Sequence, residues 1–88
     1  MSTIKLTRRM TAEVVSANTV KVVTNQVVMG GGDKNLVIWA LEASKRGYKT
    51  LLVEFNAKAP RDVVEAIRKR IRNANEMINH LGLEVREA

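Results

Sequence analysis

The fold is decided by residues 60–82, PRDVVEAIRKRIRNANEMINHLG, which carry the most regular pattern in the chain. Pro60 suits the first position of a helix, where its missing N–H donor costs nothing. Gly82 suits the position just after a helix, because glycine readily adopts the left-handed conformation found there. Between them, apolar residues recur at spacings of three and four, which predicts an amphipathic helix of about five turns. The stripe consists of Val64, Ile67, Ile71, Ala74, Ile78 and Leu81.

Strands are predicted on both sides of this helix. Residues 50–55 read TLLVEF, a nearly continuous apolar run that is typical of a buried strand with neighbours on both sides. Leu83–Arg86 can form a last strand after the helix ends. A strand, a helix and a strand in this order predict a βαβ unit, whose strands are parallel and whose crossover is right-handed.

A second helix is predicted upstream, and local signals mark both of its ends. Asp33 stands where an N-cap residue belongs, and apolar residues follow at helical spacing. Lys45 and Arg46 occupy the last turn, where the helix dipole favours cations, and Gly47 suits the position after it.

The first 29 residues favour extended structure. Ile4 and Leu6 alternate with polar neighbours, and residues 14–24 predict a hairpin with its turn at 16–18. Gln26–Met29 predicts a further short strand that leads into the glycine run. The predicted order is an N-terminal hairpin followed by β-α-β-α-β. This order indicates one α/β domain over residues 1–88, a two-layer sandwich with a small mixed sheet and both helices on one face.

Charge and composition limit the function classes. Fifteen Lys and Arg against nine acids give a net charge of +6, and a surplus of this size attracts phosphate polymers. The chain has no cysteine and one histidine, His80, so a disulfide or a cysteine-based metal site is excluded. No apolar run approaches the roughly 20 residues that span a bilayer, and the N-terminus does not resemble a signal peptide. We therefore expect a cytoplasmic protein that does not associate with membranes.

No set of residues predicts catalysis. Asp62 and Glu65 lie one turn apart, but among arginines and lysines that make them ordinary helix charge partners. His80 ends a helix, where a cation is favourable. We expect a binding protein, with no enzymatic activity and with no metal, cofactor or small-molecule substrate.

The glycine run Gly30, Gly31 and Gly32, followed by Asp33 and Lys34, is the one site-like motif. Glycines before a helix N-terminus allow a phosphate to approach the backbone closely. The spacing fits neither the P-loop nor the dinucleotide-binding pattern. Two interpretations remain open: a flexible turn between strand and helix, or a loop that holds a backbone phosphate of nucleic acid.

The central part of the chain resembles a known family. Residues 27–47, VVMGGGDKNLVIWALEASKRG, and 48–73, YKTLLVEFNAKAPRDVVEAIRKRIRN, are similar to the Alba family of archaeal chromatin and RNA-binding proteins. Asn35 and Gly47 match its helix asparagine and its glycine after the first helix. The resemblance implies a dimer that binds nucleic acid, with Lys34 in the DNA-contacting loop and Lys58 in the loop before the second helix.

The sequence also departs from that family at three places. Ala57 and Pro60 stand where the family has a loop glycine and the isoleucine that follows it. Gly-Gly-Asp-Lys replaces the family's Gly-Lys-Lys-Pro, which introduces an acid and displaces a lysine. The family ends in a long hairpin arm, whereas residues 2–9, STIKLTRR, look like its final strand moved to the front. A permuted Alba-like fold is the resulting hypothesis.

The prediction drawn from charge and resemblance together is a nucleoid-associated protein that binds DNA or RNA without base specificity. Its affinity would come from phosphate contacts and counterion release. Lys34, Lys58 and Arg61 are expected at two loops on one end of the sheet, and Lys5, Arg8, Arg9 and Lys21 along the hairpin.

Two other functions remain open beside the binding of nucleic acid by a dimer. A protein-interaction module would use apolar groups around Trp39 and Ile38, which lie off the main stripe of their helix. These two residues could equally be covered by the neighbouring helix. A small-ligand or nucleotide-binding regulator would use the glycine run.

Overall fold

A computed structural model describes the backbone of residues 2–8, 10–24, 32–55 and 60–88. It also describes the side chains of these residues, except those of residues 24 and 32–35. The chain forms strands β1 (Thr3–Lys5), β2 (Thr11–Ser16) and β3 (Thr19–Thr24), helix α1 (Gly32–Lys45), strand β4 (Thr50–Phe55), helix α2 (Arg61–Ile78), a 3₁₀ turn (Asn79–Leu81) and strand β5 (Glu84–Glu87).

The five strands form one mixed sheet in the order β1-β2-β3-β4-β5. The pairs β1–β2 and β2–β3 are antiparallel, whereas β3–β4 and β4–β5 are parallel. The two parallel pairs are the two predicted βαβ units, with α1 and α2 as their crossover helices. A small α/β fold with a mixed sheet and two helices is therefore confirmed.

One face of the sheet is buried under the helices. Val20 and Leu51 are neighbours in register, as are Leu51 and Val85, and all three are at most 1% exposed. The next residue along each strand points the other way, and Val23 on that opposite face is 46% exposed. The helices α1 and α2 pack side by side, so the sheet is covered on one face and open on the other.

The order of the strands corrects the sequence prediction in two respects. The second strand of the hairpin, β3, is itself the first strand of the first βαβ unit. The predicted strand Gln26–Met29 lies outside the described residues. In addition, β1 pairs with β2 at the edge opposite β5, so residues 3–5 of STIKLTRR join the sheet beside the hairpin. This order differs from the permuted Alba-like arrangement.

The long helix follows its predicted pattern closely but ends one turn early. Pro60 takes the N-cap position with extended backbone, and the helix ends at Ile78 before a 3₁₀ turn. Gly82 ends that turn in the left-handed conformation, with φ of 74°. Ile67, Ile71, Ala74 and Ile78 are buried as predicted, whereas Leu81 is 40% exposed because it belongs to the 3₁₀ turn.

Trp39 belongs to the hydrophobic core, which decides one question that the sequence left open. Its side chain is only 7% exposed and packs in the cluster that contains Val20, Leu51 and Val85. Ile38, the other residue off the main stripe, is 45% exposed. Trp39 is therefore covered within the chain itself.

A helix side chain reaches the outer edge of each edge strand. At β1, the Arg46 guanidinium donates a hydrogen bond to the Lys5 carbonyl at 2.9 Å. This carbonyl points away from β2, because Ser2 and Leu6 bond to β2 and its start, and residues of an antiparallel strand alternate in direction. At β5, the Asn75 amide nitrogen donates to the Val85 carbonyl, and its oxygen accepts from the Val85 N–H, both at 2.7 Å.

Candidate nucleic-acid interface

The contact between Arg46 and Lys5 brings together two basic segments that are 41 positions apart in the sequence. Arg46 follows the last turn of α1, and its guanidinium also bonds the carbonyl and the carboxylate of Glu42 at 3.2 Å. These bonds fix the side chain against both the helix and β1. The end of α1 therefore meets strand β1 at the edge of the sheet.

The described residues of these two segments, 2–8 and 42–49, carry five cations and one acid. We call the five cations, Lys5, Arg8, Lys45, Arg46 and Lys49, the Arg46 surface; it extends from the β1–β2 turn past Arg46 to the beginning of β4. Glu42, which pairs with Lys45 and Arg46, is the acid that lies with it, so its net charge is +4. The side chain of Lys45 is 72% exposed.

Three cations of the Arg46 surface are available to a ligand. Lys5, Arg8 and Lys49 are exposed and make no ion pair with any part of the chain that the structure describes. A phosphate approaching them has no internal carboxylate to displace. Sequence reasoning included Lys5 and Arg8 but took Lys45 and Arg46 only as partners of the helix dipole. The signal that it missed was long-range, because no local pattern links residues 5 and 46.

Lys21 occupies a different environment from the other predicted site residues. It lies on the open face of the sheet, where its amine contacts the Glu54 carboxylate at 3.3 Å and the Glu13 carboxylate at 3.5 Å. The hydrogen bond to Glu54, with the negative charges of Glu54 and Glu13, raises the pKa of Lys21. Two acids compensate one cation here, so this amine offers little attraction to a phosphate.

The raised pKa of Lys21 gives a test of this bridge. The folded chain holds the Lys21 proton more tightly than the unfolded chain, whose lysine keeps its ordinary pKa of 10.5. The stabilisation is therefore complete below pH 10.5 and is lost as pH rises through the pKa of the folded state. We expect the stability difference between the native chain and Lys21→Met to shrink over that alkaline range in urea unfolding. A difference that is constant with pH would contradict the bridge.

Two further predicted residues stand at the beginnings of the two helices. Arg61 is exposed at the first residue of α2, and Lys34 lies in the first turn of α1. Lys34 and Arg46 are 12 residues apart, which corresponds to roughly 18 Å along a helix axis. Arg9, Gly30, Gly31 and Lys58 lie outside the described residues, and Gly32 is the first residue of α1.

The two helix beginnings follow neighbouring strands. Thr24 and Phe55, the last residues of β3 and β4, are partners in register. The chain therefore leaves β3 and β4 side by side, at the carboxyl ends of these two strands. The register places Lys5, and the β1–β2 turn that carries Arg8, at this same end of the sheet.

The basic run of α2 is partly neutralised. The Arg68 guanidinium bonds both oxygens of Glu87 and one oxygen of Glu65, each at 2.9 Å, and these contacts raise its pKa. This arginine ties α2 to β5. Lys69 and Arg72 are exposed on the outward face, without an ion pair among the described residues.

Comparison with family models, curated proteins and solved structures finds no match to this chain. The likeness to the Alba family therefore rests on the sequence motifs alone. Within the described ranges, no three His, Asp or Glu side chains are grouped so that they could hold a metal ion. None of the described helices has the length and apolar character needed to cross a membrane. The feature on which a function can be argued is the distribution of positive charge.

Proposed function

We propose that this chain binds the phosphate backbone of DNA or RNA without reading base sequence, and that the Arg46 surface is its principal contact. The observation that carries the proposal is the set of exposed cations, Lys5, Arg8 and Lys49, which have no acidic partner among the described residues. Six of the nine acids of the chain are engaged in ion pairs elsewhere or with Arg46 and Lys45. These pairs leave Lys5, Arg8 and Lys49 among the cations that face solvent without a described carboxylate beside them.

Lysines and arginines at such a surface gain affinity by releasing the counterions condensed on nucleic acid. Contacts of this kind position a protein on the polymer and carry no sequence information directly. The described surface cations supply phosphate contacts, and the chain has only three aromatic residues, of which Trp39 is buried, so stacking on bases contributes little. The resemblance to Alba proteins supports the same ligand class.

The test is a comparison of two triple variants that change the net charge equally. Lys5→Gln, Arg8→Gln, Lys49→Gln removes the unpaired cations of the Arg46 surface. Lys69→Gln, Arg72→Gln, Arg86→Gln removes three exposed cations that the sequence did not assign to the site, two on α2 and one on β5, and is the matched control. We expect the first variant to lower the slope of log K against log salt by about three in fluorescence anisotropy with unrelated duplexes and RNAs. The control should lower that slope by about one or less.

The possible outcomes distinguish an error about the binding surface from an error about the function itself. Equal losses in the two variants would show that total charge, and not the Arg46 surface, determines binding. A Lys34→Ala, Lys58→Ala variant tests, in the same assay, the two lysines that the sequence predicts in the loops before the helices. Absence of binding by the native chain at low salt would overturn the proposal and leave an acidic protein as the partner to be tested.

A further inference from the structure

We infer that the open face of the sheet is the surface on which a second copy of this chain docks, face to face. This face lies on β2, β3, β4 and β5, opposite the helices, and it exposes Val23 at 46% and Val15 at 51%. Leu52, on β4 between these two valines and the edge strand β5, is half-buried. Antiparallel and mixed sheets tolerate one solvated face, but apolar residues on it favour contact with another surface.

The charge of the open face distinguishes it from the rest of the molecule. It carries Lys21 and Arg86 with Glu13, Glu54 and Glu84, which is a net charge of −1 in a chain of net charge +6. With Lys5 at its corner, the face is neutral. Two copies that approach through the Arg46 surface or through α2 repel each other. The open face is the side on which this repulsion is smallest.

The register across the sheet also makes the face complementary to itself. Glu13, Lys21, Leu52 and Arg86 lie in one transverse row on four successive strands. A two-fold axis parallel to the strands, lying in the interface between β3 and β4, places β2 of one copy over β5 of the other. Glu13 then lies over the second copy's Arg86, and Lys21 lies over Leu52. Two-fold pairing of one patch with itself is the commonest symmetry of soluble dimers.

The size of the face sets the expected strength. Four strands about 4.8 Å apart and about 20 Å long give a projected area of roughly 400 Å² per copy. Stable interfaces bury about 800 Å² per partner. The dimer is therefore weak and forms at high micromolar concentration. Strand β1 lies outside the area in which the two sheets face each other, so the Arg46 surface stays exposed on both copies.

The experiment measures molar mass against protein concentration by sedimentation equilibrium. Val23→Glu places a carboxylate opposite Glu54 of the second copy, and we expect it to raise the dissociation constant at least tenfold. Ile38→Glu is the matched control, because Ile38 is 45% exposed on the helix layer against 46% for Val23. It should dimerise like the native chain. Circular dichroism of both variants checks that each remains folded.

Reversing the charges of Glu13 and Arg86 tests the position of the proposed two-fold axis. Glu13→Arg alone and Arg86→Glu alone should each weaken the dimer, and the two changes together should restore it. A native chain that has the mass of one copy at every concentration would overturn the inference. It would also be overturned if Ile38→Glu, and not Val23→Glu, abolished the dimer, because the helix layer would then be the interface. Nucleic-acid binding by a single copy is unaffected by either result, so the two proposals fail independently.

Discussion

Replacement of Asn75 by leucine is expected to lower the free energy of unfolding by about 3 kcal/mol. The Asn75 side chain is the partner of both the N–H and the C=O of Val85, in a part-buried position. Leucine has a similar volume but no polar atom, so it keeps water away and leaves both backbone groups unpaired. An unpaired buried group costs about 1–3 kcal/mol, and two groups are affected here.

This loss is large for a domain of 88 residues, whose total stability is of the order of 4–13 kcal/mol. Urea unfolding followed by circular dichroism measures it, because the midpoint shifts while the slope stays the same. Asn73→Leu is the control: Asn73 lies on the same helix and is half-buried, and its side chain makes no hydrogen bond among the described residues. Similar destabilisation by both changes would show that the effect belongs to leucine on α2 and not to the bond with Val85.

Truncation of Leu51 to alanine is expected to cost about 3–4 kcal/mol of stability. Leu51 is completely buried in β4 and stands between Val20 of β3 and Val85 of β5 in register. Strands pair on both sides and helices cover this face, so the surroundings cannot collapse fully into the cavity. The cost then includes both the lost apolar transfer energy and the cavity itself.

The same chemical change at the next residue is its control. Leu52 points to the open face and is only half-buried, so Leu52→Ala should cost about 1 kcal/mol or less in dilute solution. The comparison therefore measures how one-sided the sheet is. If Leu52→Ala were as destabilising as Leu51→Ala, the described burial of one face alone would be wrong.

The sequence predicted those elements whose signals are local. The three-four spacing of Ile67, Ile71 and Ala74 describes a helix that buries one stripe, and the structure buries these residues. Gly47 and Gly82 were predicted at helix ends, and both have positive φ. The apolar run 50–55 became the central parallel strand. Each of these features depends on residues close together in the chain.

The features that the sequence did not predict depend on distant residues. Trp39 is at the margin of its helix stripe, and only the assembled core shows that it is covered. Lys21 looks like a free cation until β2 and β4 bring Glu13 and Glu54 beside it. The Arg46 surface requires the beginning of the chain to meet the end of α1. Local patterns contain no information on these encounters.

The helix side chains at the two sheet edges have a consequence for aggregation. An edge strand with free backbone groups can recruit a strand from another molecule and so begin a fibril. Arg46 occupies the outward carbonyl of Lys5, and Asn75 occupies both outward groups of Val85. The end of α1 and helix α2 therefore cover part of each edge, and loosening of either helix would expose these backbone groups. The helices thus protect edge strands that would otherwise be more open to strand addition.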